Sequence, residues 1–198
     1  MVTPGIRAGL APWGHRVLGG GSGVFFGACS AGVGGLFLSI ARGIPGGEAY
    51  TQAWDWVEPL GVNLSFRVDG LALMFALLIG FIGGLVLMYT SSYLKGYDRQ
   101  GFFYAVLLAF MASMLGLVVA DNLIMLFVFW ELTSVTSFLL IGFSHEKASA
   151  RRAAVQALLV TGLGGLVLLA GLIMLGLEAG GFELSALKNA DLVSSPLY

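Results

Sequence analysis

An all-α integral membrane protein, built as a bundle of about five transmembrane helices, is the fold class this sequence predicts. Three observations lead there. Of 198 residues, 58% are hydrophobic and only 11% are charged, less than half the roughly 25% charged residues of a soluble domain. The charges fall in short clusters between long apolar runs. From Phe102 to Phe143 the chain is almost continuously apolar. A single helix of that length would be about 63 Å long against a hydrocarbon core of about 30 Å, so it must break and return.

The first candidate span is 17–41, after a short lead over residues 1–16. That lead contains Pro4 and Pro12 and lacks an apolar core followed by a cleavage site, so no signal peptide is expected. Within the span Gly19, Gly23, Gly27, Ala31 and Gly35 recur every fourth residue. This predicts a smooth helix face that another backbone can approach closely. A polar connection follows. Its Trp54 and Trp56 suit the membrane–water boundary, and "VNLSFRVDG" alternates apolar and polar residues, as either a short strand or a solvated loop would.

The second span is 69–93, with Asp69 placed to cap its first turn and Tyr89 and Tyr93 marking its far end. Lys95, Asp98 and Arg99 make a short charged connection. The only polar pair near the middle of the long apolar stretch, Asp121-Asn122, divides it into spans 102–120 and 122–143, and Asp121 is expected to cap the latter. "HEKASARR", from His145 to Arg152, reads as a charged loop before the fifth span, 153–177. Residues 178–198 read as a loop on the extracytoplasmic side.

Five spans alternate sides. Arg7, Arg16, Lys95, Arg99, Lys147, Arg151 and Arg152 collect on one side, and Arg42, Arg67 and Lys188 on the other. Seven basic residues against three predict a multi-pass protein of the cell membrane with a cytoplasmic N-terminus. The formal net charge of −1 argues against nucleic-acid binding. A lone Cys29 excludes an internal disulfide, and no Cys/His cluster or phosphate-binding glycine loop calls for a metal or cofactor.

The candidate site is Glu131. Within span 122–143 it lies about 13 Å from one end and about 18 Å from the other. A charge at the bilayer centre costs on the order of 3 kcal/mol, and carboxylates kept there usually face a partner or a water-filled path and carry protons or ions. Ser134 follows on the same helix face, and Thr133, Thr136 and Ser137 make a neighbouring hydroxyl patch. Such hydroxyls can solvate a carboxylate, hold water, or bond back to their own helix. His145 is a candidate for passing protons at the cytoplasmic mouth. No lysine or arginine falls within the five predicted spans, so a cationic partner for Glu131 must come from the charged loops, from residues beyond Tyr198 or from another chain.

The stretch "DNLIMLFVFWELTSVTSFLLIGF", from Asp121 to Phe143, resembles the fifth helix of the antiporter-like membrane subunits. These include the large A subunit of Mrp-type sodium/proton antiporters and the proton-pumping subunits of respiratory complex I. The resemblance extends to "LGVNLSFRVDGLALMFALLIGFIGGLVLMYTSSYL" and "RRAAVQALLVTGLGGLVLLAG", covering Leu60 to Leu177. It implies that Glu131 pairs with a lysine on a later, broken helix, and that protons pass along a row of such sites. In the complex I relatives the fifth span carries an Arg and an Asp; the aligned positions here are Gly162 and Gly165, which favours the Mrp type. The resemblance also implies that the chain is the N-terminal part of a larger subunit, whose first helix would precede Val17. The expected function is ion translocation in a multi-subunit monovalent cation/proton antiporter, with other membrane subunits, the lipid bilayer, Na+ and H+ as partners. The alternative is a proton-pumping subunit of a complex I-like quinone oxidoreductase or membrane-bound hydrogenase. A structural scaffold, with Glu131 buried neutral, is the third reading.

Overall fold

The computed structural model describes residues 22–42, 49–57, 62–95, 97 and 99–187. The lead over 1–16, the start of the first span, the side chain of Trp56, Asp98 and residues 188–198 lie outside the described set. The elements are α1 (Ser22–Arg42), β1 (Tyr50–Val57), β2 (Val62–Val68), α2 (Gly70–Tyr93), α3 (Gln100–Val119), α4 (Leu123–Ile141), α5 (Ala148–Ala179) and a short α6 (Leu184–Leu187). One turn of 3-10 helix, Gly142–Ser144, follows α4. Helices α1 to α5 are long and apolar enough to cross a membrane.

Small residues set the α1–α2 packing, along the predicted stripe at Gly23 and Gly27 but off it by Gly35. Ser30 Oγ donates to Gly80 O over 3.0 Å. A Cβ added at Gly84 would lie 3.0 Å from Gly27 O, and one at Gly80 would lie 3.1 Å from Gly34 Cα. The contact line therefore runs through Gly23, Gly27, Ser30 and Gly34. Gly35 is exposed, with open space around the position of its absent Cβ. The reason is geometric: at 3.6 residues per turn, a strict four-residue repeat advances about 40° per step. By the third step it has left the face it began on.

The polar connection forms an antiparallel hairpin. Thr51 pairs with Arg67 and Ala53 with Ser65, with an irregularity between Asp55 and Val57. In β2 it is Val62, Ser65 and Val68 that are buried, every third residue rather than every second. Two-stranded ribbons twist strongly, which carries alternate side chains off a single face. Trp54 is exposed and meets Phe66 edge-on, with ring centroids 6.2 Å apart.

Asp69 Oδ1 accepts from Leu71 N and Ala72 N at 3.1 and 3.0 Å, capping α2. At the next hairpin the cap is Asn122 rather than Asp121: its Oδ1 accepts from Ile124 N at 2.9 Å and Met125 N at 3.4 Å. Asp121 is held by its backbone in a crossing of strand-like segments. Its N–H donates to Ser65 O at 2.9 Å, and its carbonyl accepts from Leu184 N at 2.6 Å. Leu123 N donates to Phe182 O at 2.7 Å. The segment after α5 thus stitches onto the α3–α4 turn, after Gly180 ends α5 in the left-handed region at φ 71°. Glycine suits that position because it has no Cβ to clash with the following carbonyl.

The fifth helix begins at Ala148, not near Ala153, so Arg151 and Arg152 belong to its first turns rather than to a loop. Alanine and arginine are strong helix formers, and hydropathy alone could not see the polar start. Around Ile79, Leu87, Tyr104, Leu107 and Met111 the bundle has a buried core. Along α5, by contrast, Leu159, Val160, Leu163, Leu166 and Val167 are exposed. Such an apolar face outside suits lipid or a further helix, not water.

Candidate functional site

Glu131 lies near the middle of α4, which packs between α3 and α5. Toward α3 the approach is close because Gly116 leaves room for the Phe129 ring, which a Cβ at that position would overlap. Toward α5 the complementary glycine is Gly165. A Cβ added there would collide with Glu131 Oε1, and would lie 3.1 Å from Cδ and 3.8 Å from Oε2. Gly165 is buried, and the glutamate carboxyl is laid against its bare backbone. Gly162, one turn earlier, has open space at the same construction.

Glu131 as a residue is half-buried, but its Oε1 is fully buried and receives no hydrogen bond. Among the described residues no lysine or arginine nitrogen lies within ion-pair distance of it; the one ion pair there joins Arg67 Nε and Asp69 Oδ2 at 3.6 Å. A buried carboxyl oxygen with no donor is costly, and more so when ionised.

The hydroxyl patch turns away from the carboxyl. Thr133 Oγ1 donates to Trp130 O at 2.7 Å and Ser134 Oγ to the same carbonyl at 3.3 Å. Thr136 Oγ1 donates to Leu132 O at 2.7 Å and is also 3.2 Å from Thr133 O. Back-bonding of this kind satisfies the hydroxyl within its own helix. Ser137 is half-buried further along α4. His145 is exposed beyond the 3-10 turn, about 20 Å from Glu131 along the axis. Its Nδ1 sits 2.7 Å from Arg99 Nη1. The structure thus brings Glu131 together with Gly165, and places His145 with Arg99 at the end of the bundle.

Sequence reasoning treated Gly165 as the loss of a charge and missed it as the surface that receives the carboxyl. Nothing in the sequence singles it out, because Gly162, Gly164, Gly171 and Gly176 lie on the same helix. It also missed the polar junction at the opposite end, where Asn63 Nδ2 donates to Glu183 Oε1 at 3.3 Å.

Among the described residues, five membrane-length helices and a two-stranded hairpin, with small residues where α1 meets α2, define a polytopic membrane protein. Residues 120–197 match the family model described as NADH:quinone oxidoreductase/Mrp antiporter, TM. Residues 54–104 match the one described as NADH-Ubiquinone oxidoreductase (complex I), chain 5 N-terminus. A probable K(+)/H(+) antiporter A/B subunit of Rhizobium meliloti is 50% identical over 146 residues, 73% of this chain and 15% of that protein. The A1 subunit of a Na(+)/H(+) antiporter of Staphylococcus haemolyticus is 41% identical over 164 residues, 82% of this chain and 20% of that protein. A chain in the structure of the Mrp complex from Dietzia sp. superposes with a TM-score of 0.81 at 36% identity, over 94% of this chain and 20% of its own length. The chain belongs to the antiporter-like membrane-subunit family that NADH:quinone oxidoreductases and Mrp antiporters share. It spans a fifth or less of the length of these relatives.

Proposed function

We propose that this chain forms the N-terminal part of the large ion-translocating subunit of a multi-subunit monovalent cation/proton antiporter, and that Glu131 is a proton carrier in it. One observation carries the proposal: midway along an apolar helix, a carboxyl oxygen is buried against Gly165 with no hydrogen-bond donor. A cation brought beside a carboxyl favours its ionised form, and removing the cation favours its protonated form. A lysine or arginine that approaches from a neighbouring segment or another chain would expel the proton; its withdrawal would let the carboxyl reload. No covalent chemistry is needed. The Rhizobium and Staphylococcus relatives carry the names of a probable K(+)/H(+) and a Na(+)/H(+) antiporter subunit, so the coupled ion is proposed as a monovalent cation.

The basic residues support an orientation. Arg99, His145 and Arg151 meet at one end of the bundle, while Arg67, Asp69 and Asp121 line a cavity at the other. The excess of positive charge at the first end favours the cytoplasm for that end, and with it for the N-terminus. Thr133, Ser134, Ser137 and His145 are proposed as secondary members of the path; the Thr133 and Ser134 hydroxyls would have to leave the Trp130 carbonyl or act through water.

The test is exchange in inverted membrane vesicles, alongside a check that all subunits remain assembled. Glu131→Gln keeps the shape and cannot release a proton, so exchange should fall to background. Glu131→Asp, one methylene shorter, should retain part of it. Full exchange in the glutamine variant would sink the carrier assignment and leave the structural scaffold, in which glutamine is tolerated. A complex I-like pump remains the second reading, favoured by the description of the family model matching 54–104; copurifying iron–sulfur subunits would select it.

A further inference from the structure

At the Arg99 end of the bundle the side chains form a built cavity. It measures about 560 Å³ and is lined by Arg99, Phe102, Phe138, His145, Arg151 and Val155, among others. The Arg99 guanidinium stacks on the Phe102 ring, 5.0 Å from its centroid. Its Nη1 lies 2.7 Å from His145 Nδ1. Arginine has no acceptor, so Nδ1 must accept and the imidazole proton sits on Nε2. Arg151 Nη1 donates to His145 O at 2.5 Å and to Glu146 O at 3.2 Å. Both guanidiniums are thereby oriented by neutral groups. Among the described residues neither has a carboxylate within ion-pair distance, and each keeps further N–H donors.

A second cavity, about 490 Å³, adjoins the first and shares Arg151 and Val155 with it. It runs over the outer face of α5 past Arg152, Leu159 and Val160. The apolar strip beyond is open: Leu159 and Leu163 are 60% and 66% exposed. Two oriented cations at the starts of α3 and α5, with no carboxylate in ion-pair distance among the described residues and continuous with an apolar groove, match one kind of molecule. We propose that this surface binds an anionic phospholipid, its phosphate diester between Arg99 and Arg151 and an acyl chain along α5. Arginine forks suit phosphate oxygens, and basic pockets between membrane helices take anionic head groups. A choline head group would add a repelled cation, and free phosphate would leave the groove unfilled.

The experiment uses the complete, delipidated complex in detergent. Dioleoylphosphatidylglycerol, dioleoylphosphatidylcholine and inorganic phosphate are added separately, and retained lipid is counted by native mass spectrometry with the thermal midpoint read in parallel. The expected result is preferential retention of the phosphatidylglycerol, with a raised midpoint that neither other addition reproduces. Arg99→Gln with Arg151→Gln should weaken that retention by about tenfold or more, the usual loss for a hydrogen bond to a charged group. Lys95→Gln with Lys147→Gln removes the same charge near the same end, outside the cavity, and should leave retention unchanged. Equal retention of the two lipids, an equal midpoint rise with inorganic phosphate, or undiminished retention in the double arginine variant would each overturn the proposal. If that variant does not assemble, a photoreactive residue at Val155 in the otherwise native complex decides: cross-linking to the anionic lipid over the zwitterionic one supports it, and no preference overturns it.

Discussion

Replacing Gly165 with alanine should separate transport from stability. The added methyl group would collide with Glu131 Oε1 and sit 3.1 Å from Cδ, whereas carbon contacts settle at about 3.5–4 Å. The carboxyl must therefore move by about 1 Å or more. It can do so, because it is the far end of a flexible side chain, at a rotamer cost of about 1 kcal/mol. Alanine in a helix interior recovers a similar amount over glycine, so assembly and the thermal midpoint should stay near those of the unmodified complex. Misplacing a reacting group by about 1 Å can cost on the order of 100-fold in rate, and exchange in inverted vesicles should fall by between tenfold and that figure. Gly162→Ala is the matched control: the same substitution on the same helix, into open space. It should exchange normally. If the two variants exchange equally well, the apposition of Glu131 and Gly165 has no part in transport and the reasoning fails.

Three other predictions concern the frame around the site. Gly27→Leu should lower the thermal midpoint of the complex by the equivalent of about 1–3 kcal/mol, because its Cβ alone would lie 2.9 Å from Gly84 O; Gly35→Leu, into open space, should not. Asn122→Ala should cost about 1 kcal/mol through the lost cap, while Asp121→Asn, which leaves that cap in place, should cost less; a reversed order in denaturation measurements would reassign the cap. In a Cys29→Ala background, Ala148→Cys should react with impermeant maleimide only from the cytoplasmic face and Gln52→Cys only from the outer face, and the opposite labelling would invert the proposed topology.

Periodicity and charge alone determined that five apolar helices cross a membrane, that the long stretch from Phe102 to Phe143 must turn near Asp121-Asn122, and that a single carboxyl sits at the middle of one helix. These are one-dimensional properties: length against bilayer thickness, and the cost of charge in hydrocarbon. Asp69 as a cap was legible for the same reason, since a cap is read within three residues. What needed the third dimension was every choice between near neighbours. Asn122 rather than Asp121 caps α4 because the hairpin and the segment after α5 claim the Asp121 backbone. Gly34 rather than Gly35 meets α2 because helix twist carries a four-residue stripe off its face. Thr133 and Ser134 serve their own helix, and the surface that receives Glu131 is a glycine on α5, far away in sequence. No spacing rule reaches across two antiparallel helices to pair positions 131 and 165; only their packing does, because the register between helices is set by how side chains of both fill the space between them.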